Sequence, residues 1–430
     1  MNWTRLAAPA ALCLLLAACT PAAGPTPTVA PAPTAPVAPP APTPPWTEDY
    51  DLFWDTLAEN YPLWAAEERI RRNDLEDVRA RYRPGAEKAQ SAQDLYTVLE
   101  GIMMEVGFTG HLTVHGAQSY ASVMALYRKT SDGKCRYLYD VMDNPASRAF
   151  YGYEESEDHQ ASAGTQSTGE PSASGNLLFQ YFPDQKAACV EILSMDMSRF
   201  DEDVAELTAF YDRLEAEGYE HCIVDIRRNG GGSSPYGPVA VAAPNLTEPV
   251  SSRHYALVRG GKEVLNYLDV VKDTWPLYPI EDLPVEDLPA LHPDDLALAT
   301  HFMTIDVGLE GRTLAETPAF TGRFWLLTSP RVYSASEYFA VFCKDTGFAT
   351  LVGETTGGDG VGLNPLMCVL PNSGIVYQFS AENGLNLDGG CNEEMGTAPD
   401  IPIEKGQDAL EVCLAYCAGD PPDRPDTATP

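Results

Sequence analysis

Residues 221–232 read His221-Cys222-Ile223-Val224-Asp225-Ile226-Arg227-Arg228-Asn229-Gly230-Gly231-Gly232. An apolar run of strand length passes through Arg227-Arg228-Asn229 into three glycines, a pattern that predicts a buried strand followed by a backbone-exposing turn. Upstream lie KAACVEIL (186–193) and DEDVAELTAFYDRLEAEG (201–218), which read as strand and helix. Together the three segments form a βαβ unit, whose strands pair in parallel through a right-handed crossover. A second unit follows: FWLLTS (324–329), SASEYFAVFCKDTG (334–347) and ATLVGE (349–354). PLMCVLPNSGIVYQFS (365–380) reads as a hairpin. The sequence therefore predicts an α/β core around a mixed sheet.

Ahead of that core the pattern is helical. Phe53, Leu57 and Tyr61 recur every fourth residue until Pro62 ends the run. A further helix is predicted from Ser91, whose S-x-x-D with Asp94 is of capping-box type, to Gly107. Thr109-Gly110-His111 then turns the chain into an alternating LTVH segment. Residues 155–176 are small, polar and unperiodic and read as a surface loop or insertion.

Three of these places could carry chemistry. Amides of the Gly230–Gly231 turn could form an anion nest or one half of an oxyanion hole. Ser334, between a strand and a helix, stands where a nucleophile is well presented, and the Ala335 amide at the helix start could serve an oxyanion. Ser334 and Glu337 also match S-x-x-E, so a plain capping box is the competing reading. A nucleophilic serine needs a base. Of the seven histidines, only His111 stands at a helix-to-strand corner beside a glycine.

In order along the chain, these segments resemble peptidase family S41, the tail-specific and tricorn-type serine proteases. The resemblance rests on Thr109-Gly110-His111, on D-x-R-x-N-x-G-G (Asp225, Arg227, Asn229, Gly231, Gly232) and on S-A-x-E from Ser334. It continues through G-E-x-T-x-G (Gly353, Glu354, Thr356, Gly358) and G-x-x-P-D (Gly396, Pro399, Asp400). It implies a crotonase/ClpP-like core behind the N-terminal helical region, and because only about 70 residues separate His111 from that core, about 20 of them of low complexity, no PDZ domain is expected. One branch of the family activates its serine with a lysine 25 residues later, but here that position is Asp359. The tricorn-like branch uses the corner histidine, steered by a glutamate just before G-x-x-P-D. By that resemblance Ser334, His111 and Glu393 form the catalytic set, with Glu394 the alternate acid, and Gly231, Gly230 and Ala335 line the oxyanion site. Two positions depart from the pattern: Thr109 replaces the usual acid of the corner, and Gly110 stands where the tricorn type has a supporting serine.

Composition bounds the setting. With 28 Lys+Arg against 62 Asp+Glu the chain carries −34, a surface that repels phosphate backbones and excludes nucleic acid as a partner class. Residues 1–18 read as a lipoprotein signal, with Arg5, an apolar run from Leu6 to Ala18, and Leu16-Ala17-Ala18-Cys19 as a lipobox that makes Cys19 the lipidation site. Residues 19–46, rich in proline, read as an extended stalk. The expected order is then an N-terminal helical region (47–116), a variable insertion (117–180), the peptidase-like core (181–417) and a tail (418–430). Cys189, Cys222, Cys343 and Cys368 sit in apolar runs and read as small buried hydrophobes, while disulfide pairing stays open. No CxxC or HExxH occurs, so neither metal nor cofactor is expected. The sequence as a whole points to an extracytoplasmic, lipid-anchored serine peptidase acting on peptide or protein substrates. The alternative is a catalytically silent lipoprotein of the same fold that binds peptides or envelope material.

Overall fold

A computed structural model describes residues 45–129, 132–154, 170–172 and 174–419, all within one unit, Thr43–Pro430. The signal, Cys19, most of the stalk and tail, and most of the polar stretch at 155–176 lie outside the described residues. In chain order the helices α1 (Pro45–Asn60), α2 (Trp64–Arg71), α3 (Leu75–Lys88) and α4 (Ala92–Val106) come first. Helix α1 buries Phe53 and Leu57, and Ser91 caps α4 by accepting the Asp94 amide at 3.1 Å. Gly107, at φ 79°, ends α4 as the sequence predicts.

After the two-residue strand β1 (Thr113–Val114) come α5 (Ala117–Arg128), α6 (Gly133–Met142) and α7 (Pro145–Tyr151). Of the segment read as a variable insertion, the described residues from Ala117 to Tyr151 are thus largely helical. Tyr120, Met124, Leu138 and Met142 are buried, and Asn144 with Pro145 starts α7. The remaining elements are β2 (Glu170–Pro171), β3 (Leu177–Phe182), β4 (Ala187–Ile192), α8 (Phe200–Glu217), β5 (His221–Asp225), β6 (Ser251–Val258), α9 (Lys262–Val271), β7 (Tyr278–Pro279), α10 (Pro293–Leu298) and β8 (His301–Gly308). Then follow β9 (Arg323–Thr328), α11 (Ala335–Thr346), β10 (Ala349–Gly353), β11 (Leu366–Val369), β12 (Val376–Phe379), β13 (Asn383–Gly384), α12 (Asn392–Met395), β14 (Ile401–Pro402) and α13 (Ala409–Cys417).

Both βαβ units join one seven-stranded sheet of order β14-β10-β9-β5-β4-β3-β2. Its five strands from β14 to β4 are parallel, and β3 and β2 add antiparallel, so the sheet is mixed as expected. Parallel strands covered on both faces must be apolar throughout, and Val190, Val224, Leu326 and Leu351 are paired in register. The hairpin β11–β12 does not extend this sheet. It forms a separate three-stranded sheet with β1, while β13, β6, β8 and β7 form a third. Thr113 pairs with Gln378, so the His111 corner is bound to the C-terminal half by backbone pairing.

All eight cysteines from Cys135 onward are free thiols in this structure, and all but Cys417 are buried. Burial pushes the thiols of Cys189, Cys222, Cys343 and Cys368 up, as suits packed apolar groups.

Candidate active site

Parallel strands β5 and β9 end side by side, so the loops leaving their C-terminal ends meet at one edge. The glycine turn leaves β5, and Ser334 leaves β9 to open α11. Ser334 has φ 58° and ψ −123°, a conformation rare outside glycine, and its side chain makes no capping hydrogen bond. The capping-box reading therefore fails. Glu337 instead lies buried, accepting from Thr397 Oγ1 at 2.6 Å and Asn392 Nδ2 at 3.0 Å, and burial pushes its pKa up, so the carboxyl holds its proton more tightly.

Ser334 Oγ sits 3.0 Å from Nε2 of His111, a residue 223 positions earlier. The other ring nitrogen, Nδ1, is 2.5 Å from Asp359 Oδ2 and 3.1 Å from Ser380 Oγ. Ser380 in turn donates to the same Asp359 oxygen at 2.7 Å. A carboxylate at Nδ1 selects the tautomer protonated there, which leaves the Nε2 lone pair free to accept the serine proton. Asp359 thus occupies the place expected for Glu393, and Ser380 supplies a hydroxyl that Gly110 lacks.

Glu393 does not reach the imidazole because the phenol of Tyr333 stands between them, donating to Glu393 Oε2 at 2.9 Å. Burial, reinforced by the charge of Asp359, pushes Glu393 up to about 9. Glu394, the alternate acid, points away and pairs with Arg69 at 2.7 Å. Asp359 carries its own signal in the sequence, since it holds the position where the other branch has lysine. Backbone conformation marks the same three groups. Among the described residues, five other than glycine have positive φ, and His111, Ser334 and Asp359 are three of them. Such conformations cost on the order of 1–3 kcal/mol each and persist where surrounding contacts impose them.

The expected oxyanion donors divide. Ala335 is the first residue of α11, where backbone amides lack intrahelical partners. Gly231 packs directly against it: a Cβ there would lie 2.8 Å from Tyr333 O and 3.1 Å from Ala335 N. However, the Gly231 amide is already donated to Asn229 Oδ1 at 3.0 Å. Gly231 therefore contributes close approach rather than a donor. Gly230 has open space where a side chain would stand. Asn229 is fully buried, bonding Ile192 O at 3.0 Å and receiving Ser336 Oγ at 2.7 Å, which ties the turn to α11. Arg227 clamps Asp225 at 2.7 Å and Asp408 at 2.8 Å, fixing the end of β5 against α13.

Further carboxyls lie buried in the molecule. Desolvation lifts Glu382 to about 8 and Glu67 to about 7. Asp295, Cys391 and Glu394 converge closely enough to hold a metal, but Arg69 already bridges the two carboxylates. Among the described residues no helix is long and apolar enough to cross a membrane.

Comparison with known proteins identifies the family of the core. The model of peptidase family S41 matches residues 186–403, about half of the chain. A solved structure from Parabacteroides merdae, described as a candidate peptidase, superposes with a TM-score of 0.51 at 18% identity, covering 90% of this chain and 99% of that one. A lipoprotein from Streptococcus agalactiae gives 0.45 at 11% identity, covering 90% and 99%. An NH(3)-dependent NAD(+) synthetase from Lactiplantibacillus plantarum is 39% identical over 87 residues, which is 20% of this chain; the chain spans only 31% of that relative's length. With the family matched across the βαβ core and the loops that carry Gly231 and Ser334, the chain belongs to peptidase family S41, a family of serine-type peptidases.

Proposed function

We propose that this protein is a serine peptidase that cleaves peptide bonds through an acyl-enzyme. The observation that carries the reading is the continuous path from Ser334 Oγ to His111 Nε2 at 3.0 Å and from Nδ1 to Asp359 Oδ2 at 2.5 Å. Ser334 Oγ attacks the scissile carbonyl carbon while His111 Nε2 takes its proton. Negative charge builds on the carbonyl oxygen and is held by the Ala335 amide at the start of α11. The imidazolium, stabilised by Asp359, returns the proton to the departing amine. Water then repeats the sequence on the ester and frees Ser334. Asp359, rather than Glu393, is assigned the orienting role, with Ser380 holding the carboxylate.

The lipobox ending at Cys19 and the proline-rich segment after it support a protein anchored by lipid outside the cytoplasm, with its peptidase unit held off the membrane. Its substrates would then be exported peptides or proteins.

A fluorophosphonate probe tests the chemistry. The serine oxygen attacks phosphorus and fluoride leaves, so only an activated serine is labelled. Peptide mass spectrometry should find the adduct on Ser334 in the full chain and none in Ser334→Ala or His111→Ala. A folded wild-type protein that takes no label would overturn the reading and favour a binding protein of the same fold.

A further inference from the structure

Tyr333 does more than precede the nucleophile. Its hydroxyl accepts the backbone N–H of His111 at 3.2 Å, across 222 residues. A phenol has one proton to give, and Glu393 Oε2 at 2.9 Å is nearer than Asp359 Oδ2 or Phe108 O, both at 3.4 Å. The aromatic ring lies 4.9 Å from the imidazole centroid and 5.7 Å from that of Phe108. On its backbone side Tyr333 bridges Gly358, the neighbour of Asp359. One residue therefore touches the segments that carry base, nucleophile and acid.

His111 needs such a hold. At φ 55° it sits in the left-handed region, and its N–H has to be satisfied at the edge of a cleft. We infer that Tyr333 is a positioning residue that sets His111 against Ser334, and that Glu393 acts through it by fixing the direction of its hydroxyl. This rests on the serine-peptidase reading above. It gives the glutamate before G-x-x-P-D an indirect role, whereas the family resemblance implies a direct one on the histidine. Glu393 then needs to be a hydrogen-bond acceptor and need not be an anion. That fits its buried place near Asp359, where a second negative charge would be costly.

The test is the rate of fluorophosphonate labelling, resolved into maximal rate and half-saturating probe concentration. Tyr333→Phe should lower the maximal rate by roughly 10–10²-fold, as small misplacements of a reacting group do, and leave half-saturation unchanged. Glu393→Ala should produce a similar loss, and Glu393→Gln, which keeps an acceptor oxygen, should recover most of it. Thermal melting of each variant identifies any that is unfolded, and the two Glu393 variants decide the matter if Tyr333→Phe fails to fold. Labelling of Tyr333→Phe at the wild-type rate would overturn the inference. So would a Glu393→Gln protein as slow as Glu393→Ala, since charge would then be what matters. Wild-type protein that is unlabelled at Ser334 would instead sink the serine-peptidase reading itself.

Discussion

The amide of Ser334 donates to the carbonyl of Gly358 at 3.1 Å, and that bond joins the segment of Ser334 to the segment of Asp359. It sets residues 333–334 beside 357–359, so the residue after Gly358 is delivered to the imidazole. Gly358, at φ 90°, permits the bend, since a Cβ there would meet Asn392 O at 2.3 Å. If Asp359 is the orienting acid, Asp359→Asn should slow fluorophosphonate labelling by about 10³–10⁴-fold, because the amide favours the wrong tautomer of His111. Glu393→Gln in the same assay should be far milder. Equal losses, or the reverse order, would return the role to Glu393.

Gly231 gives a second test. Its Cα faces Tyr333 O and Ser334 Cβ with no room for a methyl group. Its φ of 115° also suits glycine alone. Gly231→Ala should therefore push the turn away from Ala335 and cost about 10²–10³ in labelling rate, the scale of losing an oxyanion donor. Gly230→Ala, with open space at its Cα, should lose less. The comparison separates close packing from a general intolerance of side chains in the turn.

Ser380 shares the Asp359 oxygen that meets His111. Ser380→Ala removes one neutral donor to a carboxylate, worth about 1.5–3 kcal/mol by its nature and less where the partner keeps other bonds. A fall of roughly tenfold in labelling rate is expected. A drop as large as that of Asp359→Asn would mean that the hydroxyl, not the carboxylate, orients the ring.

Glu67 predicts a pH effect on stability. It is fully buried beside Thr109, and Arg71 Nε is 3.9 Å away. Desolvation lifts it to about 7. The folded protein then keeps a proton that the unfolded chain has released, so stability falls as pH rises from about 4.5 to 7. Glu67→Gln removes that term. Denaturant melts should show the variant gaining on wild type across this interval, by on the order of 1–3 kcal/mol, with no further gain above it. A constant difference across the interval would show that Glu67 does not titrate there.

Much of this protein can be read along the chain because the signals are local. The alternation of apolar runs with a helical segment at 186–225 marks two parallel strands, and both join the main sheet. Ser91 and Gly107 mark the ends of α4 because capping involves only near neighbours. Ser334, His111 and the glycine turn stand out since each follows a recognisable element. Local pattern also misleads. S-x-x-E at Ser334 has the form of a capping box, yet its oxygen turns to His111. The helices at 117–151 escape a reading that weighs the polar stretch after them more than the spacing of Tyr120, Met124 and Tyr127.

The α/β core, the serine after β9, the histidine corner and the glycine turn can be read from the residues in order, because each depends on periodicity or backbone freedom within a few residues. Which acid meets His111, whether the Gly231 amide is free, and what Tyr333 holds depend instead on how distant segments pack together. Those choices rest on distances of about 3 Å between groups as much as 248 residues apart. Such distances are set by strand register and helix placement, and a displacement of one residue would exchange Asp359 for a glycine.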